Sequence, residues 1–327
     1  VQANSPLIRV LTAWLLALLL AVAVGALTIF LVNSRVFGPE QQIRHYFEAL
    51  KDGSGEEALG ILNAPAPKAN PSMLDGPALR SAAASIDNLE VGDPEASGGN
   101  RVIVPVTYTV DNVEANSSYI LENTGTRWLF FDTWTFVAAP LPTMQLSVIN
   151  QNTATLNGTT VAMPEGQNSF AVFYPGKYES HYTSEYFAAP AQSTVVATRQ
   201  DKDRIALATR ATDKLRDDVG QQVKKFLDEC ALQKVLQPAG CPFAFDTENR
   251  IVGNIKWNIT EYPEIVIEPN DGNWIMRPLS GTALLTTTQQ DLFTGQIIPL
   301  TIESHFSFTA RLDVTDSNIT VTPVVEY

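Results

Sequence analysis

Apolar residues recur along this chain with three different spacings. The first is continuous: residues 10–32, opening on Val10 and closing on Val32, are 23 uncharged and mostly apolar positions. At about 1.5 Å rise per residue a helix of that length reaches roughly 35 Å, enough to cross a bilayer. One membrane anchor in contact with lipid is therefore expected. The apolar stretch of a signal peptide is shorter and ends on small residues. Ala21-Val22-Ala23 has that character but lies inside the run, so the expectation is a retained anchor. Trp14, near one end, suits the membrane interface.

The second spacing is helical. Pro39 suits a first helical turn, Ile43, Tyr46, Phe47 and Leu50 follow on one face, and Asp52-Gly53 ends the pattern. Ser54 and Glu57 have capping-box spacing for a second short helix, and residues 78–84 predict a third. Further on, Leu215, Val219, Val223, Phe226, Leu227 and Cys230 share one helical face.

The third spacing is strict alternation, as in a half-buried strand. Val102, Val104, Val106, Tyr108 and Val110 show it, as do Ile255, Trp257 and Ile259. Strands are also expected at 119–121, 128–137 and 170–174, and through 265–325. Asn123-Thr124-Gly125, Asn157-Gly158 and Pro269-Asn270-Asp271-Gly272 predict turns. Helices followed by antiparallel strands give an α+β class. The expected division is an anchor with its flanks (1–37), a cone-shaped α+β domain (38–140), a small β module (141–203) and a second α+β domain (204–327).

Charge adds a partner class to exclude. The chain carries 22 basic and 35 acidic residues, a net charge of −13, and without Arg9 and Arg35 the part beyond the anchor is near −15. Such a surface argues against nucleic acid. Arg9 before the run against Arg35 and Arg44 after it slightly favours a cytoplasmic C-terminal part by charge counting. The chain begins on Val1, so an upstream segment with its own charges is expected. Few Lys, much Thr, Ser and Asn, and only two cysteines favour an extracytoplasmic location. Ten residues lie between Cys230 and Cys241, compatible with a disulfide that closes a short loop and persists outside the cytoplasm. Two buried free thiols are the alternative, and a zinc site would lack ligands.

The segment "QQIRHYFEALKDGSGEEALGIL" resembles the opening of the cone-shaped domains of the nuclear-transport-factor-like superfamily. "LNGTTVAMPEG…FAVFYPGKYESHY" is similar to PEGA-type β modules, which act as spacers or contact modules. Together with the anchor and "LDECALQKVLQPAGCPF", the chain resembles actinobacterial single-pass envelope proteins, distantly similar to TcaA-type membrane proteins. That resemblance implies a cell-membrane protein that contacts a protein or cell-wall partner.

Residues for catalysis are sparse. No G-x-S-x-G, S-x-x-K, H-E-x-x-H or Walker A pattern occurs, and the three histidines are His45, His181 and His305. Glu303 with His305, Asp217-Asp218, the group Asp201, Asp203 and Asp213, and the group Glu268, Asn270 and Asp271 all read as solvated faces or turns. No catalytic residue, metal or cofactor is expected. The stretch Tyr174, Tyr178, His181, Tyr182, Tyr186 and Phe187 is the candidate contact surface, because such rings favour interfaces, although ordinary packing of strand faces is the leading explanation for them. The expected function is a non-catalytic, membrane-anchored accessory or scaffolding module. A sensor that binds a cell-wall fragment or lipid in a cone-domain pocket is the alternative.

Overall fold

The computed structural model describes residues 6–65, 67–128, 130–315 and 318–325. The expected flank at 1–5, position 129 in an expected strand, and the last two residues of the third unit lie outside them. So do the side chains of Arg9 and Arg35 used in charge counting.

The apolar run forms α1 (Pro6–Val36), within which Val10–Asn33 is long and apolar enough to span a membrane. Two residues later α2 (Pro39–Asp52) begins, closed by Gly53 at φ +72° as a left-handed cap. α3 (Gly55–Ile61) and α4 (Gly76–Ala83) follow. The capping box expected at Ser54 does not form. Asp75 caps α3 instead, accepting from the Gly55 N–H at 2.9 Å, while Glu57 pairs with His45 at 2.8 Å.

The helices pack on a curved sheet of β1 (Ile86–Val91), β2 (Glu95–Ala96), β3 (Arg101–Val110), β4 (Val113–Arg127) and β5 (Phe131–Phe136), ordered β1-β3-β4-β5 with β2 beside β3. Asn123-Thr124-Gly125 is a bulge, not a turn. The β4–β5 register shifts there and Gly125 takes φ +129°, but pairing continues to Arg127. The chain reverses farther on, where Trp128 has φ +57°, so the expected strand at 128–137 starts later.

The next strands are β6 (Thr143–Val148), β7 (Thr153–Leu156), β8 (Thr159–Ala162), β9 (Gln167–Ala171), β10 (Gly176–Thr183), β11 (Phe187–Val196), β12 (Arg204–Leu207) and β13 (Arg210–Ala211). Asn157 and Gly158, both at positive φ, join β7 to β8 as expected. One sheet runs β13-β11-β10-β7-β8 and the other β12-β6-β9. β12 lies parallel to β6, with Ile205 opposite Leu146. The sandwich therefore takes residues through 211, and the expected boundary at 203/204 falls inside it.

α5 (Asp213–Ala231) opens the last unit, capped by Thr212, whose hydroxyl accepts from the Leu215 N–H. Leu215, Val219, Val223, Leu227 and Cys230 are its buried face. β14 (Arg250–Ile251), β15 (Lys256–Glu261), β16 (Ile267–Asn270), β17 (Asn273–Met276), β18 (Leu279–Gln290), β19 (Ile297–Val314) and β20 (Ile319–Val324) complete it. Cys230 and Cys241 are bridged. The bridge ties the end of α5 to a segment whose Phe243 packs on Trp257 and Phe306.

The fold is α+β with several curved sheets, and its buried apolar side chains fall into two cores. One joins α2–α4, the first sheet and the sandwich, so the first two expected units share an interior. The other belongs to α5 and the last sheets, joined by Phe187 of β11 and Ala211 of β13. Tyr46 and Tyr119 make the first junction, both donating hydroxyl hydrogen bonds to the Tyr174 carbonyl, at 2.7 and 3.2 Å.

Candidate docking surfaces

The six residues of the expected contact surface separate in the structure. β10 alternates inward and outward, so Tyr178 and Ser180 point into the core. The β10–β11 register then shifts between Ser180 and Tyr182. Tyr178 is fully buried and its hydroxyl donates to the Phe173 carbonyl at 2.8 Å. Burial pushes that phenol well above its ordinary range, as it does for Tyr46 and Tyr119. Tyr174 stacks on Tyr119 at 5.6 Å. Phe187 is buried and stacks on Trp274 at 4.4 Å. These three are core residues and cannot meet an external partner as placed.

Tyr182 and Tyr186 are half-buried and line a cleft of about 290 Å³ with Ser184, Phe187, Trp274 and Val314. This cleft lies between the sandwich and the last unit, where Asn150 Nδ2 also donates to the Asn273 carbonyl at 2.7 Å. Lys214 sits 5.8 Å from the Tyr186 ring centre and pairs with Asp218 at 2.8 Å. His181 faces a different hollow, beside Ser85, Asn157, Lys177 and Glu179. The stretch thus serves mainly to hold the chain's own units together.

A surface not singled out in the sequence lies at the β18–β19 turn. Phe293 is 100% exposed and Leu292 and Ile297 are each 63% exposed. The turn is internally braced. The Asp291 carboxylate accepts from the N–H groups of Phe293 and Thr294 at 2.9 and 2.7 Å, and from the Thr294 hydroxyl at 3.0 Å. Led by the Thr294 N–H, those bonds hold the carboxyl below its usual range. Gly295, at φ +74°, returns its N–H to the Asp291 carbonyl at 2.8 Å. Two adjacent apolar residues in a turn, Leu292-Phe293, were the available signal.

The polar candidates have local partners. His305 is exposed and its Nδ1 lies 3.1 Å from the Thr282 hydroxyl, which itself donates to Glu261 at 3.2 Å. His305 and Glu303 share the exposed face of β19. Glu268 pairs with Arg277 at 2.7 Å, and Asp271 occupies the β16–β17 turn at φ +45°. Asp201 closes a loop by accepting from the Ala197 and Thr198 N–H groups, each at 2.8 Å. Asp203 takes only the Thr194 hydroxyl, at 3.2 Å, and its other oxygen is buried without a partner. Among the described residues, no group of three or more His, Cys, Asp or Glu side chains is placed to hold a metal ion.

No protein-family model, curated protein or solved structure matches the chain.

Proposed function

We propose that this chain is a non-catalytic, membrane-anchored accessory or scaffolding protein whose extracytoplasmic part docks onto a protein or cell-wall component of the envelope. The observation that carries this reading is the β18–β19 turn. Leaving Phe293, Leu292 and Ile297 in water is unfavourable, at roughly 25 cal/mol per Å² of apolar surface. The Asp291 bracing nonetheless orders the backbone of the turn that carries Leu292 and Phe293. A pre-ordered apolar projection pays little conformational entropy when it enters a partner's pocket. The disulfide supports an oxidising compartment, and α1 supports attachment to a membrane.

The test is a photo-crosslinking residue at position 293 of the full-length chain in native membranes, followed by affinity purification and mass spectrometry. One stoichiometric adduct, lost on Asp291→Ala or Leu292→Asp, is the expected result. A clean, partnerless protein would overturn the docking assignment and return attention to ligands in the cone domain.

A further inference from the structure

A second apolar projection occurs at the β4–β5 turn, and its position relative to α1 gives it a different occupant. Trp128 is 77% exposed and Phe130 is 56% exposed. Trp128 also adopts a left-handed backbone, a conformation suited to Gly or Asn and unusual for a bulky residue.

Three contacts order β5 along the helices. Phe136 packs near Tyr46 of α2 at 5.9 Å. Phe131 stacks on Phe37, at the joint between α1 and α2, at 4.5 Å. Asp132 clamps the Asn33 side chain: its carboxylate accepts from Asn33 Nδ2 at 2.8 Å, and its backbone N–H donates to Asn33 Oδ1 at 2.9 Å. Followed from Phe136 towards its turn, β5 thus runs from α2 to the α1–α2 joint, where Asp132 meets Asn33, the last residue of the span Val10–Asn33, and Phe131 meets Phe37 just after it. Burial agrees. Residues 10–28 of α1 are all exposed, whereas Ile29, Val32 and Asn33, at spacings of three and one, are half-buried on one face.

We propose that the β4–β5 turn, with Trp128 and Phe130 at its tip, inserts into the headgroup layer of the bilayer that α1 crosses, as a second membrane contact. This rests on the reading of α1 as a membrane span. The exit of that span is level with the Asn33–Asp132 clamp, and Trp128 and Phe130 stand within four residues of Asp132 along the chain. Trp prefers this layer because its ring is amphipathic. The neighbouring Arg127 is exposed and can reach lipid phosphate. The chain's net charge of −13 gives an anionic membrane surface no bulk attraction for the protein, so the contact depends on ring insertion.

Both cysteines of the 327 residues are bridged, so one engineered cysteine is the free thiol of this chain. An environment-sensitive fluorophore is placed singly by Thr126→Cys, Leu20→Cys or Phe293→Cys. Each protein is reconstituted into phosphatidylcholine–phosphatidylglycerol vesicles carrying nitroxide either at the headgroup or deep in the acyl chains. The label at position 126 is expected to be quenched by headgroup nitroxide and to lose that quenching when Trp128→Asp and Phe130→Asp are added. The label at Leu20 is expected to respond to deep nitroxide, and the one at Phe293 to neither. An unquenched label at 126 with a quenched one at Leu20 overturns the insertion and leaves the span intact. Unquenched labels at both overturn both. Shielding of 126 in native membranes but not in lipid vesicles assigns the tip to a protein partner and overturns the lipid assignment.

Discussion

The Tyr174 carbonyl supports a prediction about how the first two units are joined. It is buried at their junction and accepts from two phenols, Tyr46 on α2 at 2.7 Å and Tyr119 on β4 at 3.2 Å. Tyr46→Phe removes one donor and preserves the ring packing against Phe47, Tyr119 and Phe136. The carbonyl keeps its other partner, so the loss should be that of one ordinary hydrogen bond, about 1 kcal/mol. Tyr119→Phe should cost about the same, by the same reasoning. The double variant differs in kind, because it leaves a buried acceptor with neither donor. That desolvation costs about 1–3 kcal/mol beyond the two single losses. Denaturant unfolding of the full-length chain in detergent, followed by circular dichroism for all four proteins, measures the coupling. A double variant that equals the sum of the singles to within about 0.5 kcal/mol would refute the shared-acceptor reasoning.

Two further outcomes are expected. Replacing both cysteines by Ala should destabilise the last unit by about 3 kcal/mol, the loop-closure entropy of so short a ring. Its core is distinct from that of the first two units except where Phe187 and Ala211 of the sandwich enter it, so calorimetry should show the transition of the last unit moving most. Asp203 gives a pH test. Burial, ahead of its other influences, raises its carboxyl above the ordinary range. A raised pKa contributes stability that is fully present below the unfolded value of about 3.9 and is lost as pH rises through the folded value. Asp203→Asn should therefore gain stability relative to the parent as pH climbs from about 3 to about 6. A pH-independent difference between the two proteins would show that the buried oxygen is solvated.

What was legible in the sequence was what one element settles by itself. The faces of α2 and α5, the alternation of β3, the Asn157-Gly158 hairpin and the cysteine spacing all depend on neighbours within a few turns of chain. What was not legible depends on distant partners. Asn-Thr-Gly serves a turn and a bulge equally well, and only the continued pairing of Gly125 with Thr133 decides between them. β12 returns across about 60 residues to lie beside β6, which no local pattern announces and which moved the expected boundary. The aromatic stretch was ambiguous for a related reason. Ring identity marks both interfaces and cores, and Tyr178 is assigned to the core by strands β7 and β11 on either side of β10. Phe293 lay in a turn too short to show periodicity, so its exposure emerged only with the hairpin around it.

The joint between α1 and α2 has a mechanical consequence. Only Phe37 and Gly38 separate the two helices, and the Asn33–Asp132 clamp and the Phe37–Phe131 stack brace that joint from the side. There is no tether here to lengthen or swivel. If α1 lies in a bilayer, a tilt or rotation of that helix is carried into the domain above it, and the domain's reach is fixed by its own dimensions. In that setting, whatever binds the domain must come to the membrane to do so.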